Sequence, residues 1–151
     1  MRFAASTIVL STLALGLCCA PAFAIDERID PQAMQALIVK AEQAQPKEQC
    51  FLYAELVHQM TELAGQQLSS GDGDHASATL RLVQRYTEKI HMGVTEDGKK
   101  LKNAEELMRH TSFRLSGILN AASYEDRQAL QATLKQLEQV QTELMMQVFK
   151  K

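Results

Sequence analysis

The sequence has few of the residues that interrupt helices or cross-link a chain. Its 151 residues include no tryptophan, 3 prolines, 7 glycines and 3 cysteines. Cys18 and Cys19 fall in an apolar leader, so the rest of the chain keeps only Cys50. One cysteine excludes an intramolecular disulfide there, and we expect Cys50 to be a buried, small apolar side chain. An intermolecular disulfide and a thiol activated by the helix start at Pro46 are the alternatives.

The leader has the order of a secretory signal peptide. Arg2 gives a positive start, an apolar run covers residues 3–20, and the small-x-small triplet at residues 22–24 precedes polar Asp26. This order predicts export to the periplasm or the medium, with cleavage after Ala24. A retained membrane anchor and a lipoprotein are the alternatives, although bulky Leu17 before the first cysteine fits a lipidation motif poorly.

Cleavage leaves a chain of nearly balanced charge. Residues 25–151 form one expected domain, with no second apolar stretch long enough to span a membrane. They hold 15 basic and 18 acidic residues, a net charge of about −3. Neither this balance nor export favours a nucleic-acid partner.

Motifs for catalysis and nucleotide binding are also absent. The sequence has no Gly-x-Ser-x-Gly, His-Glu-x-x-His, phosphate-loop or dinucleotide fingerprint. This favours a protein that is not an enzyme, and no cofactor is expected.

Apolar residues recur at helical spacing along the whole remaining chain. Breaks are predicted at Pro31, Pro46, residues 69–74, residues 93–98 and residues 123–126. No segment alternates as a strand does. Four of the helices have about 20–25 residues, a matched length of about 30–37 Å. The sequence therefore predicts an all-α fold, an up-down antiparallel four-helix bundle preceded by a short N-terminal helix.

Two Glu-x-x-His motifs suggest a metal site. Glu55 and His58 lie on the second predicted helix, and Glu88 and His91 lie on the third. The spacing puts each pair on one helix face, as in di-iron bundles. A metal-binding, redox-active bundle is therefore the alternative function. The competing interpretation is ordinary surface pairs three residues apart.

Basic side chains form a second candidate site, a surface for an anionic partner. Three recur every four residues on the third helix, and three lie near the start of the fourth. Salt bridges to neighbouring carboxylates such as Glu62 are the simpler explanation. The candidate residues are Arg81, Arg85, Lys89, Lys99, Lys100 and Lys102.

Two short segments resemble known helical families. Leu63-Ala64, Leu68, Gly71-Asp72, Ala76, Leu80 and Tyr86 resemble the helix-turn-helix of a tetratricopeptide repeat, but no second copy follows at 34 residues. The segment from Ser123 to Gln128, with Leu130, Leu134 and Gln141, resembles the Leu-Thr-x-x-Gln segments of periplasmic stress chaperones of the Spy/CpxP type. It departs from them at Ala122 and Asp126. The second resemblance implies a chaperone-like binding role, and no functional residue carries over.

Export, amphipathic helices and missing catalytic motifs together favour a binding role. We expect an interaction or structural protein whose partner is a protein or an envelope component. Phe51, Phe113 and Phe149 lie off the main apolar stripes and are candidates for a contact surface or for the seam of a homodimer.

Overall fold

A computed structural model describes residues 29–92 and 98–150, with the side chains of residues 91, 92, 98 and 99 excepted. The predicted signal peptide and most of the predicted break at residues 93–98 lie outside this part of the chain. The described residues are helical and contain no strand, which confirms the all-α prediction. The helices are α1 (Pro31–Gln43), α2 (Pro46–Ser69), α3 (Gly73–Met92), α4 (Gly98–Ala121) and α5 (Tyr124–Val148).

The first two helices begin where the sequence predicts. The Oδ1 atom of Asp30 accepts a hydrogen bond of 2.9 Å from the Gln32 N–H, and Pro31 occupies the first turn. This is the usual chemistry of a helix start. Ala44 and Gln45 are extended and Pro46 opens α2, so α1 and α2 are separate helices.

The α2–α3 turn and the start of α5 also follow from local sequence. Gly71 has a φ of +80°, a conformation that side chains disfavour, so glycine suits the position. Asp72 caps α3, because its Oδ1 atom accepts from the His75 N–H at 3.3 Å. Ser123 caps α5 and accepts from the Asp126 N–H at 3.4 Å.

The four long helices form two hairpins of consecutive helices. In the first hairpin, Thr79 of α3 bonds to Gln67 of α2, and Tyr86 stacks on Tyr53. Later residues of α3 therefore meet earlier residues of α2, so the two helices are antiparallel. Helices α4 and α5 pack together as the second hairpin and are joined by a turn of two residues.

The hairpins stack side by side in the same direction. Helix α4 packs against α2, and α5 packs against α3, whereas the described backbones of α3 and α4 are not close to each other. His58 bonds to Thr111 and Glu62 to Arg114, so α2 and α4 are parallel. Side-chain partners across the stack are 49–53 residues apart in sequence. The second hairpin thus lies on the first like a neighbouring helix pair in a stacked array.

The core fills the space between the four long helices, and α1 covers part of α2. Met34 and Ala41 are the buried residues of α1. Each long helix also buries one threonine completely, at Thr61, Thr87, Thr111 and Thr133, and each hydroxyl donates to the carbonyl four residues earlier. These four threonine hydroxyls are therefore satisfied within their own helices, whereas the buried Ser112 hydroxyl of α4 has no described partner.

Candidate functional site

His58, from the first Glu-x-x-His motif, faces α4. Its ring is half-buried, and Nδ1 lies 3.0 Å from the Oγ1 atom of Thr111. The Thr111 hydroxyl donates to the Leu107 carbonyl at 2.8 Å. With its own proton used in this way, the hydroxyl is placed to accept a hydrogen bond from His58 Nδ1. His58 acts here as a polar contact between the two hairpins.

Only the Glu88 side chain of the second motif is described, and it is not grouped with the first motif. Glu88 is exposed on α3, and the His91 side chain lies outside the described residues. Within the described part of the chain, no three histidine, cysteine, aspartate or glutamate side chains are grouped to hold a metal ion. The metal hypothesis, which names Glu55, His58, Glu88 and His91, stays a prediction without a ligand set.

Lys89 is occupied by contacts inside the molecule. Its Nζ atom lies 5.3 Å from the ring centroids of both Tyr53 and Tyr86, whose own centroids are 6.0 Å apart. The same atom lies 3.4 Å from the Oε1 atom of Glu42 on α1. This cation–π arrangement joins α1 to the first hairpin and removes Lys89 from the expected anion-binding surface.

Two further basic residues pair across the contact between α2 and α4. Lys100 bonds to Glu48, and this hydrogen bond holds the pKa of Glu48 below its ordinary value. The Nε atom of Arg114 lies 2.9 and 3.0 Å from the two carboxylate oxygens of Glu62. The expected salt bridge to Glu62 is thus confirmed.

The rest of the anion-binding surface is divided. Arg81 and Arg85 are exposed on α3, and Lys102 is exposed on α4, which packs against α2 and α5. None of the three has an ion pair with another described residue. The Lys99 side chain lies outside the described residues. Of the five candidates whose side chains the structure describes, three therefore remain, on two separate helices.

Large exposed apolar side chains gather on the second hairpin. The described residues have six such side chains, and all except Val39 of α1 belong to α4, α5 or the end of α5. Phe113 is 83% exposed, Tyr124 91% and Phe149 75%. We call these five residues the outer apolar face: Phe113, Tyr124, Met145, Met146 and Phe149.

The outer apolar face points away from the first hairpin. Helix α4 meets α2 through Thr111, and Phe113 lies about 200° around the helix from that residue at 100° per residue. Helix α5 meets α3 through Thr133, and Tyr124 and Phe149 lie about 180° and 160° from it. The second hairpin thus covers the core with one side and carries the outer apolar face on its opposite side.

The sequence predicted part of this face. Of the three phenylalanines expected at a contact surface, Phe113 and Phe149 are exposed, whereas Phe51 is half-buried against the core. Its helix has neighbours on several sides and a wide apolar surface. Tyr124, Met145 and Met146 were missed. The signal that could have found Tyr124 and Met146 is their position opposite the clean apolar stripe of α5, whereas Met145 lies beside that stripe.

A groove of about 980 Å³ lies between the C-terminal halves of α2 and α4. Small side chains and backbone dominate its wall, including Gly65, Gly117 and Ala121. Arg114 borders the groove and is already paired with Glu62. At its edge the Ser123 hydroxyl donates to the Oδ2 atom of Asp126 at 2.6 Å, a contact within the cap of α5.

Cys50 is also unsuited to nucleophilic chemistry. Its side chain is 3% exposed, and burial raises the pKa of the thiol to about 11. The thiolate is the reactive form, so this thiol is a poor nucleophile. The low exposure confirms the expectation of a buried cysteine.

Comparisons with known proteins give no relative: no protein-family model, no curated protein and no solved structure matches the chain. None of the described helices combines the length and the apolar character needed to cross a bilayer.

Proposed function

We propose that this chain is an exported, non-enzymatic helical protein that binds another macromolecule through its outer apolar face. The observation that carries the proposal is the concentration of exposed aromatic and methionine side chains on one side of the second hairpin. Scattered surface apolar residues are normal, but a one-sided group is typical of an interaction surface.

The types of residue support a protein or envelope partner. Aromatic side chains and methionine are enriched where proteins contact each other, because they give large contact areas. Methionine also adapts its shape to different partners. A surface made of Phe113, Tyr124, Met145, Met146 and Phe149 therefore suits a macromolecule with apolar side chains of its own.

The placement of the face follows from an up-down course of the chain, which we infer from the register of side-chain contacts. Helices α2 and α4 run one way, and α3 and α5 run the other. This course gives each hairpin one side toward the core and one side toward solvent.

Photo-crosslinking in the producing cell tests the proposed function. A photoreactive amino acid replaces Phe113 on the outer apolar face or, as a control, Val39, which is exposed on α1. We expect covalent adducts with another macromolecule from position 113 and none from position 39, with the partner identified by mass spectrometry. Equal adducts from both positions, or none from position 113, would overturn the proposal.

A substitution provides a second test of the proposed function. Phe113→Ser removes a side chain that is 83% exposed, so folding should be unaffected, as circular dichroism would verify. We expect this variant to lose the partner on co-purification, whereas Val39→Ser retains it. Retention by Phe113→Ser would contradict the proposed use of the face.

A further inference from the structure

The exposed side of α5, together with Phe149 just after its end, carries a regular stripe of eight side chains. Their spacing alternates between four and three residues, so they share one face of the helix, as the seam positions of paired helices do. All eight are exposed. We call these residues the α5 stripe: Tyr124, Gln128, Gln131, Lys135, Glu138, Thr142, Met145 and Phe149.

We propose that the α5 stripe pairs with the same stripe of a second copy of the chain, antiparallel, about a two-fold axis that passes between Gln136 and Leu137. The proposal rests on the proposed function in taking the outer apolar face as a binding surface, and it names the first partner of that surface. In a two-fold interface the same patch serves both copies, so the stripe must complement itself when reversed.

The charges of the stripe meet this condition. In the antiparallel register, Lys135 lies opposite Glu138 of the partner subunit, and the symmetry repeats the pair on the other side of the axis. Both side chains are exposed, and neither forms an ion pair with a described residue of its own chain. Complementary pairs at the centre of a helix seam set its register and orientation.

The apolar ends of the stripe also complement each other when the stripe is reversed. Tyr124 lies opposite the partner's Phe149, and Gln128 lies opposite the partner's Met145. Complete burial of the four aromatic side chains, at about 150–250 Å² each, would contribute at most about 600–1,000 Å². With the methionines, the upper end of this range corresponds to the roughly 1,000–1,200 Å² of a specific, weak interface.

The distribution of exposed apolar residues favours a two-fold pair over head-to-tail stacking. Further stacking would put the second hairpin of one copy on the first hairpin of the next. The described residues of α2 and α3 include none of the large exposed apolar side chains. The outer apolar face therefore finds apolar complementarity in another copy of itself.

Sedimentation equilibrium over a concentration series tests the pairing, using protein purified from cells that express the whole chain. We expect a reversible dimer. Lys135→Glu and Glu138→Lys each bring like charges together at two symmetric places and should raise the dissociation constant about tenfold. Arg81→Glu is the matched control, because Arg81 is exposed and unpaired on α3, and it should leave dimerisation unchanged.

Combining the two charge reversals should restore the pairing. A mixture of the Lys135→Glu and Glu138→Lys variants should form a heterodimer, because each lysine then meets a glutamate. The double variant K135E/E138K should dimerise like the natural chain. A protein that stays monomeric, or a dimer that both single variants leave unchanged, would overturn the pairing. Adducts from position 113 with a different macromolecule would still support the proposed function, so the two failures are distinguishable.

Discussion

Gly65 of α2 and Ile118 of α4 are in close contact where the two hairpins meet. A Cβ atom on Gly65 would stand 2.8 Å from the Cδ1 atom of Ile118, which is inside normal van der Waals contact. Gly117, the neighbour of Ile118, has no atom within 4 Å of the corresponding position. Substitution by alanine should therefore affect stability differently at these two helical glycines.

Gly117→Ala should stabilise the protein by about 0.5–1 kcal/mol, because alanine is the better helix former and the added methyl group meets nothing. Gly65→Ala gains the same propensity but must displace Ile118, so its gain should be smaller or absent. Urea unfolding measures both. Ile118→Val, which removes the Cδ1 atom, should recover part of the missing gain in the Gly65→Ala background. An equal gain from both alanine variants would contradict the close approach.

The contact between His58 and Thr111, which also joins α2 to α4, should contribute to the stability of the fold. Thr111→Val keeps the side-chain shape and removes the acceptor of the His58 hydrogen bond. We expect a loss of about 0.5–1.5 kcal/mol in the free energy of unfolding. The control is Thr87→Val, since Thr87 is also completely buried and its hydroxyl donates to the Val83 carbonyl of its own helix. Similar losses for both variants would mean that the bond between the hairpins contributes nothing.

Local chemistry explains why the sequence predicted the helices. Caps and breakers such as Asp30, Pro46 and Ser123 act within a few residues, and the structure has helix ends beside each of them. Each long helix also carries a periodic apolar stripe, and that period sets the helix type before any neighbour is known. Helix number and bounds were therefore accessible.

The partners of each helix were not accessible in the same way. A stripe as wide as that of α2 fits several neighbours, and only the assembled core decides that α2 lies beside α4 while α3 does not. Lys89 illustrates the same limit. Its spacing from Arg81 and Arg85 predicts one exposed stripe, yet the stacked rings of Tyr53 and Tyr86 give it a different environment.

The pair of Asp72 and His75 at the start of α3 should titrate visibly. Oδ1 of Asp72 lies 2.7 Å from Nδ1 of His75. This hydrogen bond raises the pKa of His75 above its ordinary 6.5 and lowers the pKa of Asp72 below its ordinary 3.8. We expect an NMR titration midpoint for the His75 ring above 6.5, and a lower midpoint in Asp72→Asn, which retains a capping side chain.

The sign of the pH effect follows from these shifts. The contribution of His75 is fully present below its ordinary pKa and is lost as pH rises through the raised value. The contribution of Asp72 is present above its ordinary pKa and is lost as pH falls through the lowered value. The pair should therefore stabilise the fold most between about pH 4 and 6.5. Asp72→Asn should remove the gain in unfolding free energy between about pH 4 and 6.5. If the gain persists in this variant, it does not come from the pair of Asp72 and His75.

Counting thiols tests the burial of Cys50 and the predicted cleavage together. At neutral pH a pKa raised from 9.0 to about 11 leaves roughly 100-fold less thiolate than an ordinary cysteine has. The folded protein, purified from cells that express the whole chain, should therefore react very slowly with Ellman's reagent. After unfolding in urea it should release one equivalent of thiol, because cleavage after Ala24 would remove Cys18 and Cys19. Three equivalents would show that the leader is retained. Fast reaction of the folded, cleaved protein would contradict the burial, and Cys50→Ala should abolish the signal.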